Sequence, residues 1–175
     1  MPLFRLLSRV MAAAAFAAFA ACATQPGAPK VLPAGSGTFV RVVDGDTVVV
    51  RLGAGDESVR LIGIDTPETH GRGGLRECFG QEASNRTKAL LPPGTRVRLV
   101  RDAELRDRYD RLLAYIYRAD DDLFVNLTLA EEGYAAAYTF PPNVAHANKF
   151  VEAAAAARSS GRGLWSACGG PDTPL

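Results

Sequence analysis

A chain of 175 residues accommodates one ordinary domain with extensions. Its 47% hydrophobic and 22% charged residues sit near the globular average, which excludes a disordered chain and implies a packed core. The formal net charge is +1; without residues 1–21, which hold Arg5 and Arg9 and no acid, Lys and Arg fall from 20 to 18 against 19 acids, giving −1 and no broad electrostatic footprint for duplex nucleic acid.

In chain order, Arg5 and Arg9 precede an apolar run from Val10 to Ala21, too short for a bilayer span but suited to a signal peptide over residues 1–21. Phe19-Ala20-Ala21-Cys22 reads as a bacterial lipobox with Cys22 as the lipidated residue; Ala21-Cys22-Ala23 also reads as a cleavage site. The expectation is an exported protein: a periplasm-facing or cell-surface lipoprotein held to the membrane through Cys22, or a secreted soluble one. Residues 22–36, rich in Ala, Gly and Pro, form a flexible linker, and order begins near Thr38. Thr38 to Val43 and Thr47 to Leu52 are β-branched runs joined by Asp-Gly-Asp, a hairpin, and Ser58 to Ile64 follows as a third strand. Glu68 to Gly80, with Gly71, Gly73 and Gly74, reads as a mobile loop.

A first helix spans Gln81 to Leu91, with Ala83, Thr87, Leu90 and Leu91 on its inner face. Strands are expected over Thr95 to Val100 and Leu112 to Tyr117, and the remainder is helical. Asn126 and Asn143 read as N-caps, Gly133 and Gly161 as helix ends, and Val144, Ala147, Val151, Ala154 and Ala155 as the apolar face of the third helix. Trp165 anchors the C-terminal segment, and residues 169–175 form a loose tail. Five strands with about three helices suggest an α+β, mainly β, fold: a five-stranded OB-type barrel over residues 37–168.

The chemistry concentrates between Asp44 and Thr69. Asp46 and Asp65 close strand ends and offer hard oxygen ligands, suited to Ca²⁺ or Mg²⁺ rather than zinc. Glu68, just past Pro67, is either a general base for water or a surface glutamate. Arg60, within an apolar strand, either holds a phosphate by two parallel hydrogen bonds or pairs with Asp65 or Glu68. Period-2 counting puts Arg60 and Asp65 on opposite strand faces, so their meeting requires a bend. Arg111 supplies a second cation before a strand, while Arg106 and Arg108 read as solvated charge. Tyr109, Tyr115 and Tyr138 stack on a nucleotide or fill the core. With Cys22 lipidated, Cys78 and Cys168 form an even pair in an oxidising compartment; the alternatives are a disulfide or two separate thiols.

The run Asp-Gly-Asp-Thr, then Arg-Leu-Ile-Gly-Ile-Asp-Thr-Pro-Glu-Thr, then Tyr-Asp-Arg-Leu-Leu-Ala-Tyr-Ile-Tyr resembles the staphylococcal nuclease (thermonuclease) family. Gly80-Gln81-Glu82-Ala83 and Gly163-Leu164-Trp165 extend the likeness across roughly Gly37 to Cys168. The resemblance implies a Ca²⁺-dependent nuclease, a monomer by default, that hydrolyses single-stranded or frayed DNA and RNA to 3′-phosphorylated products. It implies Asp46 and Asp65 as Ca²⁺ carboxylates with the Thr66 main-chain carbonyl. It implies Glu68 as general base, Arg60 and Arg111 as phosphate-binding arginines, and Tyr109 and Tyr138 as residues of the nucleotide pocket. Asp110 stands where the family commonly has glycine, and the two paired cysteines are absent from the type member. A non-catalytic OB-type module that binds nucleic acid or protein at the cell envelope is the competing reading.

Overall fold

Alternation along the strands puts Val48, Val50, Val59, Leu61, Val97, Leu99 and Ile116 on one side, each fully buried. A sheet with one such face buries it by curling on itself. In a computed structural model that describes residues 32–70 and 74–175, the elements are β1 (Leu32–Asp44), β2 (Thr47–Leu52), β3 (Gly55–Leu61), β4 (Gly63–Asp65), α1 (Gly80–Leu90), β5 (Arg96–Arg101), β6 (Leu112–Arg118), α2 (Val125–Glu131), β7 (Ala136–Tyr138), α3 (Ala147–Ser159) and α4 (Leu164–Ala167). The barrel closes in the order β1-β2-β3-β6-β5, antiparallel throughout except for the parallel β3–β6 pair. This is an OB-type, mainly β, α+β fold.

Closure explains why β1 begins at Leu32 rather than near Thr38. Leu32 to Thr38 pairs with β5, while Thr38 to Asp44 pairs with β2, so one long strand serves two neighbours. The end of the expected linker is therefore sheet. The expected signal peptide, Cys22 and the rest of the expected linker lie outside the described residues.

The expected third strand is broken in two. Gly63 takes φ +88°, and a Cβ there would sit 2.1 Å from the Phe150 ring, so only glycine fits the bend. Beyond it, β4 leaves the barrel and pairs with β7, a strand the helical reading of the C-terminal part did not anticipate. Asn126 is not a cap: it lies inside α2, fully buried, accepting the Ile116 N–H (2.9 Å) and donating to the carbonyls of Ile62 (2.9 Å) and Ala114 (3.2 Å). It thus pairs backbone groups at the β3–β4 break. Asn143 does not cap α3 either; His146 holds that position, while Asn143 exchanges hydrogen bonds with Glu104, its side-chain oxygen accepting the Glu104 N–H and its amide donating to the carboxylate, both at 3.0 Å.

The buried face of α3 is Phe150, Ala153, Ala154 and Ala157, rotated from the expected one; Val144 and Val151 are exposed. Phe150 sets the rotation, because its ring fills the space over Gly63. Leu164, fully buried, anchors the C-terminal segment rather than the half-buried Trp165. The last residues are not a loose tail. Cys78 N–H donates to Thr173 C=O (2.8 Å), Leu175 N–H donates to Arg76 C=O (3.0 Å), and Glu77 bridges to Pro174. The Sγ atoms of Cys78 and Cys168 lie at bonding distance, 2.02 Å, forming a disulfide across 90 residues.

Candidate functional site

The β1–β2 turn is the base of the site. Asp44 Oδ1 accepts the Gly45 N–H at 2.8 Å, the self-bonded turn that Asp-Gly chemistry favours. Gly45 then presses against Thr66, where a Cβ would come within 2.6 Å of Thr66 Oγ1, and its carbonyl accepts the Thr87 hydroxyl of α1 at 2.6 Å. With the turn so pinned, Asp46 points inward and is 4% exposed. Its Oδ1 accepts the Thr47 hydroxyl (3.0 Å), and its Oδ2 accepts the Thr66 N–H (3.0 Å) and pairs with Arg60 Nη1 (2.8 Å).

Arg60 spans the bend. Its Nη2 donates to Asp65 Oδ1 at 2.7 Å, and Nη1 donates to the carbonyls of Leu61 (3.0 Å) and Ile64 (3.1 Å). The Gly63 turn reverses the side on which Asp65 faces, and so brings Asp46 and Asp65 to one guanidinium. Of the two partners considered for Arg60 in the sequence, Asp65 is present; Glu68 is not bonded to it.

Glu68 lies against Asp44 instead. The Thr69 N–H approaches the Asp44 carboxylate at 3.3 and 3.4 Å, which sets Glu68 beside Asp44. Desolvation first, then the neighbouring Asp44 carboxylate and the charges of Asp46 and Asp65, push the Glu68 carboxyl up to about 8, although the residue keeps an exposed surface. Burial likewise raises Asp65 to about 6, against the pull of Arg60 and with added repulsion from Asp46. Four carboxylates therefore crowd one place with a single bridging arginine.

Arg111 enters from the start of β6, the strand paired with β3. Its Nε donates to Asp107 Oδ2 at 2.7 Å, its Nη2 is ion-paired with the same oxygen at 2.7 Å, and its backbone N–H donates to Asp107 Oδ1 at 3.0 Å. Burial would raise the Asp107 carboxyl, but these bonds outweigh it and hold the group below its usual range. Arg111 Nη1 donates to Thr47 Oγ1 at 3.3 Å, and Thr47 in turn donates to Asp46, so one hydroxyl links Arg111 to Asp46. Asp110 takes φ +64°, the conformation glycine would favour, so the tight turn before Arg111 survives.

A cleft of about 620 Å³ is lined by Arg60, Asp65, Arg111, Tyr109, Tyr138 and Phe140, among others. Tyr109 is 64% exposed, with Arg108 and Arg111 at 4.7 and 5.4 Å from its ring centroid. Tyr138, paired with Gly63 across β4–β7, stacks on Phe140 at 6.4 Å between centroids. Tyr115 is core, its hydroxyl bonded to Asp102 at 2.8 Å. Arg106 and Arg108, expected to be solvated charge, line the cleft; Arg106 is paired with Glu57 and Arg108 donates to Tyr109 Oη at 2.6 Å.

The structure thus brings together Asp46, Asp65, Thr66, Arg60 and Arg111, with Glu68 at the rim, and Tyr109 and Tyr138 along the cleft. Sequence reasoning missed Thr47, Asp107 and Phe140. The Asp107–Arg111 spacing of four residues was a usable signal for one; a threonine hydroxyl and an isolated phenylalanine carried none.

The donor set can be tested against a metal ion. The candidate ligands are hard oxygens, Thr66 Oγ1 is buried without a partner, and the neighbouring carboxylates raise the proton affinity of Asp65 and Glu68. Among the described residues no three His, Cys, Asp or Glu side chains are set to enclose a metal by themselves. The arrangement fits a hard divalent cation whose shell is completed by main-chain carbonyl, water and phosphate oxygens.

Residues 58–167 match the family described as "Staphylococcal nuclease homologue". The chain is 47% identical to a thermonuclease of Staphylococcus intermedius over 59% of this chain and 60% of that protein. It is 36% identical to a thermonuclease of Staphylococcus hyicus over 73% of each, and 35% identical to endonuclease YncB of Bacillus subtilis (strain 168) over 75% of this chain and 62% of that protein. The first of these relatives is thus matched over less than two thirds of its own length. Arg60, Asp65, Glu68, Arg111 and Tyr138 all fall inside the matched stretch, which begins after Asp46.

Proposed function

The chain belongs to the family of staphylococcal nuclease homologues, and from that premise we propose that it is a calcium-dependent nuclease hydrolysing phosphodiester bonds of single-stranded or frayed DNA and RNA to 3′-phosphorylated products. The observation that carries the reading is the cleft itself: Arg60 and Arg111, brought side by side by the paired strands β3 and β6, line it together with Asp65 and the aromatic rings of Tyr109 and Tyr138.

Asp46, Asp65 and the Thr66 carbonyl would hold Ca²⁺. When bound, the ion supplies positive charge beside the scissile phosphate and offsets the negative charge that grows in the transition state. Arg60 and Arg111 bind the phosphate oxygens. Arg111 is already oriented by Asp107 and Thr47, so little reorganisation accompanies its use. Glu68, whose proton affinity is high for a carboxylate, takes the proton of the attacking water. Tyr109 and Tyr138 stack against or hydrogen-bond to the nucleotide, which favours unpaired strands because a paired base cannot leave its stack. The near-neutral charge suits this local recognition. We place the protein outside the cytoplasm, as a monomer, anchored through Cys22 where that residue is acylated.

Purified protein incubated with single-stranded DNA tests the reading. Cleavage with Ca²⁺, abolished by EDTA and leaving 3′-phosphate ends, is the expected result. Intact DNA under all metal conditions would replace it with the binding-module reading.

A further inference from the structure

Glu68 is fixed by Glu77, whose neighbours Arg76 and Cys78 are held in turn by the distant C-terminal segment. Glu68 N–H donates to Glu77 Oε2 at 2.8 Å, and Glu77 N–H donates back to Glu68 C=O at 2.9 Å. This reciprocal pair clamps the backbone of residue 68 at two points. Glu77 is itself fixed from outside. The C-terminal residues pair with Arg76 and Cys78 by two main-chain bonds, and the Cys78–Cys168 disulfide ties the neighbouring residue to the end of α4. From within, Gly80 abuts the Glu68 carbonyl, which a Cβ would meet at 2.6 Å.

We infer that Glu77 is a positioning residue for Glu68, and that the C-terminal segment and the Cys78–Cys168 disulfide serve the reaction by holding Glu77 against it. The inference rests on the role of Glu68 proposed above. Its chemistry is a single acceptor: a carbonyl or carboxylate oxygen at residue 77 that receives the Glu68 N–H. A glutamine retains that acceptor and an alanine removes it. Displacing a general base by a fraction of an ångström lowers turnover without weakening substrate binding.

The test compares Glu77→Ala, Glu77→Gln and the Cys78→Ser/Cys168→Ser double variant, each confirmed as folded by near-UV circular dichroism at the assay temperature. Glu77→Ala lowers kcat roughly ten-fold with KM within about two-fold. Glu77→Gln keeps most of the activity, and the double variant moves in the direction of Glu77→Ala. Independently of activity, amide hydrogen exchange at Glu68 accelerates roughly ten-fold in Glu77→Ala and not in Glu77→Gln. An unchanged kcat in folded Glu77→Ala, an equal loss in Glu77→Gln, or unchanged exchange at Glu68 would each overturn the inference. An inactive wild-type protein refutes the nuclease reading instead, while the exchange measurement still judges the contact.

Discussion

At the scale of single residues, charge has been placed before it is needed. Arg111 donates side-chain hydrogen bonds to Asp107 and to Thr47 and is ion-paired with Asp107 through Nη2, so its orientation does not depend on substrate. Replacing it with alanine is expected to lower kcat by about 10²–10³-fold, the scale seen when one preorganised charge stabiliser is removed. Glu68→Gln removes the proton acceptor while keeping its shape, and single-turnover rates should fall at least as far. Some of this was legible: the acids and arginines stand out because nothing in a strand or turn pattern accounts for them. Thr47 and Asp107 did not stand out. Their importance lies in which groups they touch, and that is a property of register: Thr47 faces Arg60 across β2–β3, a pairing that depends on the whole barrel.

At the scale of elements, the bend between β3 and β4 decides the site. Counting alternate residues put Arg60 and Asp65 on opposite faces, and Gly63 reverses that relation. The bend carries a backbone cost, which Asn126 offsets by pairing with three main-chain groups of Ile62, Ala114 and Ile116. Asn126→Ala strands buried groups that each cost about 1–3 kcal/mol, so a loss of about 3 kcal/mol or more is expected in urea unfolding. Gly63→Ala places a methyl group against Phe150 and forces a left-handed alanine; its melting temperature should fall below that of wild type, and Asp65 should lose its alignment with Arg60. Helix periodicity located α3 but chose the wrong face, since alanines are small enough to serve on either side. Phe150 resolves the choice through its fit over Gly63, which no local pattern encodes. Similarly, an asparagine before a helical stretch looks like a cap, and only tertiary contact turns Asn126 into a core residue.

At the scale of the whole molecule, the barrel and its C-terminal closure join segments distant in sequence. A disulfide across 90 residues removes much freedom from the unfolded chain, worth about 4–5 kcal/mol on a chain-entropy account. The Cys78→Ser/Cys168→Ser variant should therefore unfold at markedly lower urea concentration than the wild type. Overall class was readable from β-branched runs and turn residues, whereas the parallel β3–β6 contact, the return of the C-terminus and strand β7 required long-range pairing that local patterns do not carry. What the closed barrel finally provides is one place where Asp46, Asp65, Arg60 and Arg111 meet. The most direct measurement of that claim is the rate of single-stranded DNA hydrolysis against free Ca²⁺ concentration, for wild type and for Asp65→Asn. The account predicts no cleavage in EDTA, saturable activation of the wild type by Ca²⁺, and a half-saturating Ca²⁺ concentration raised at least roughly ten-fold in the variant. Hydrolysis that proceeds undiminished in EDTA, or a variant with the same Ca²⁺ dependence as the wild type, would contradict it.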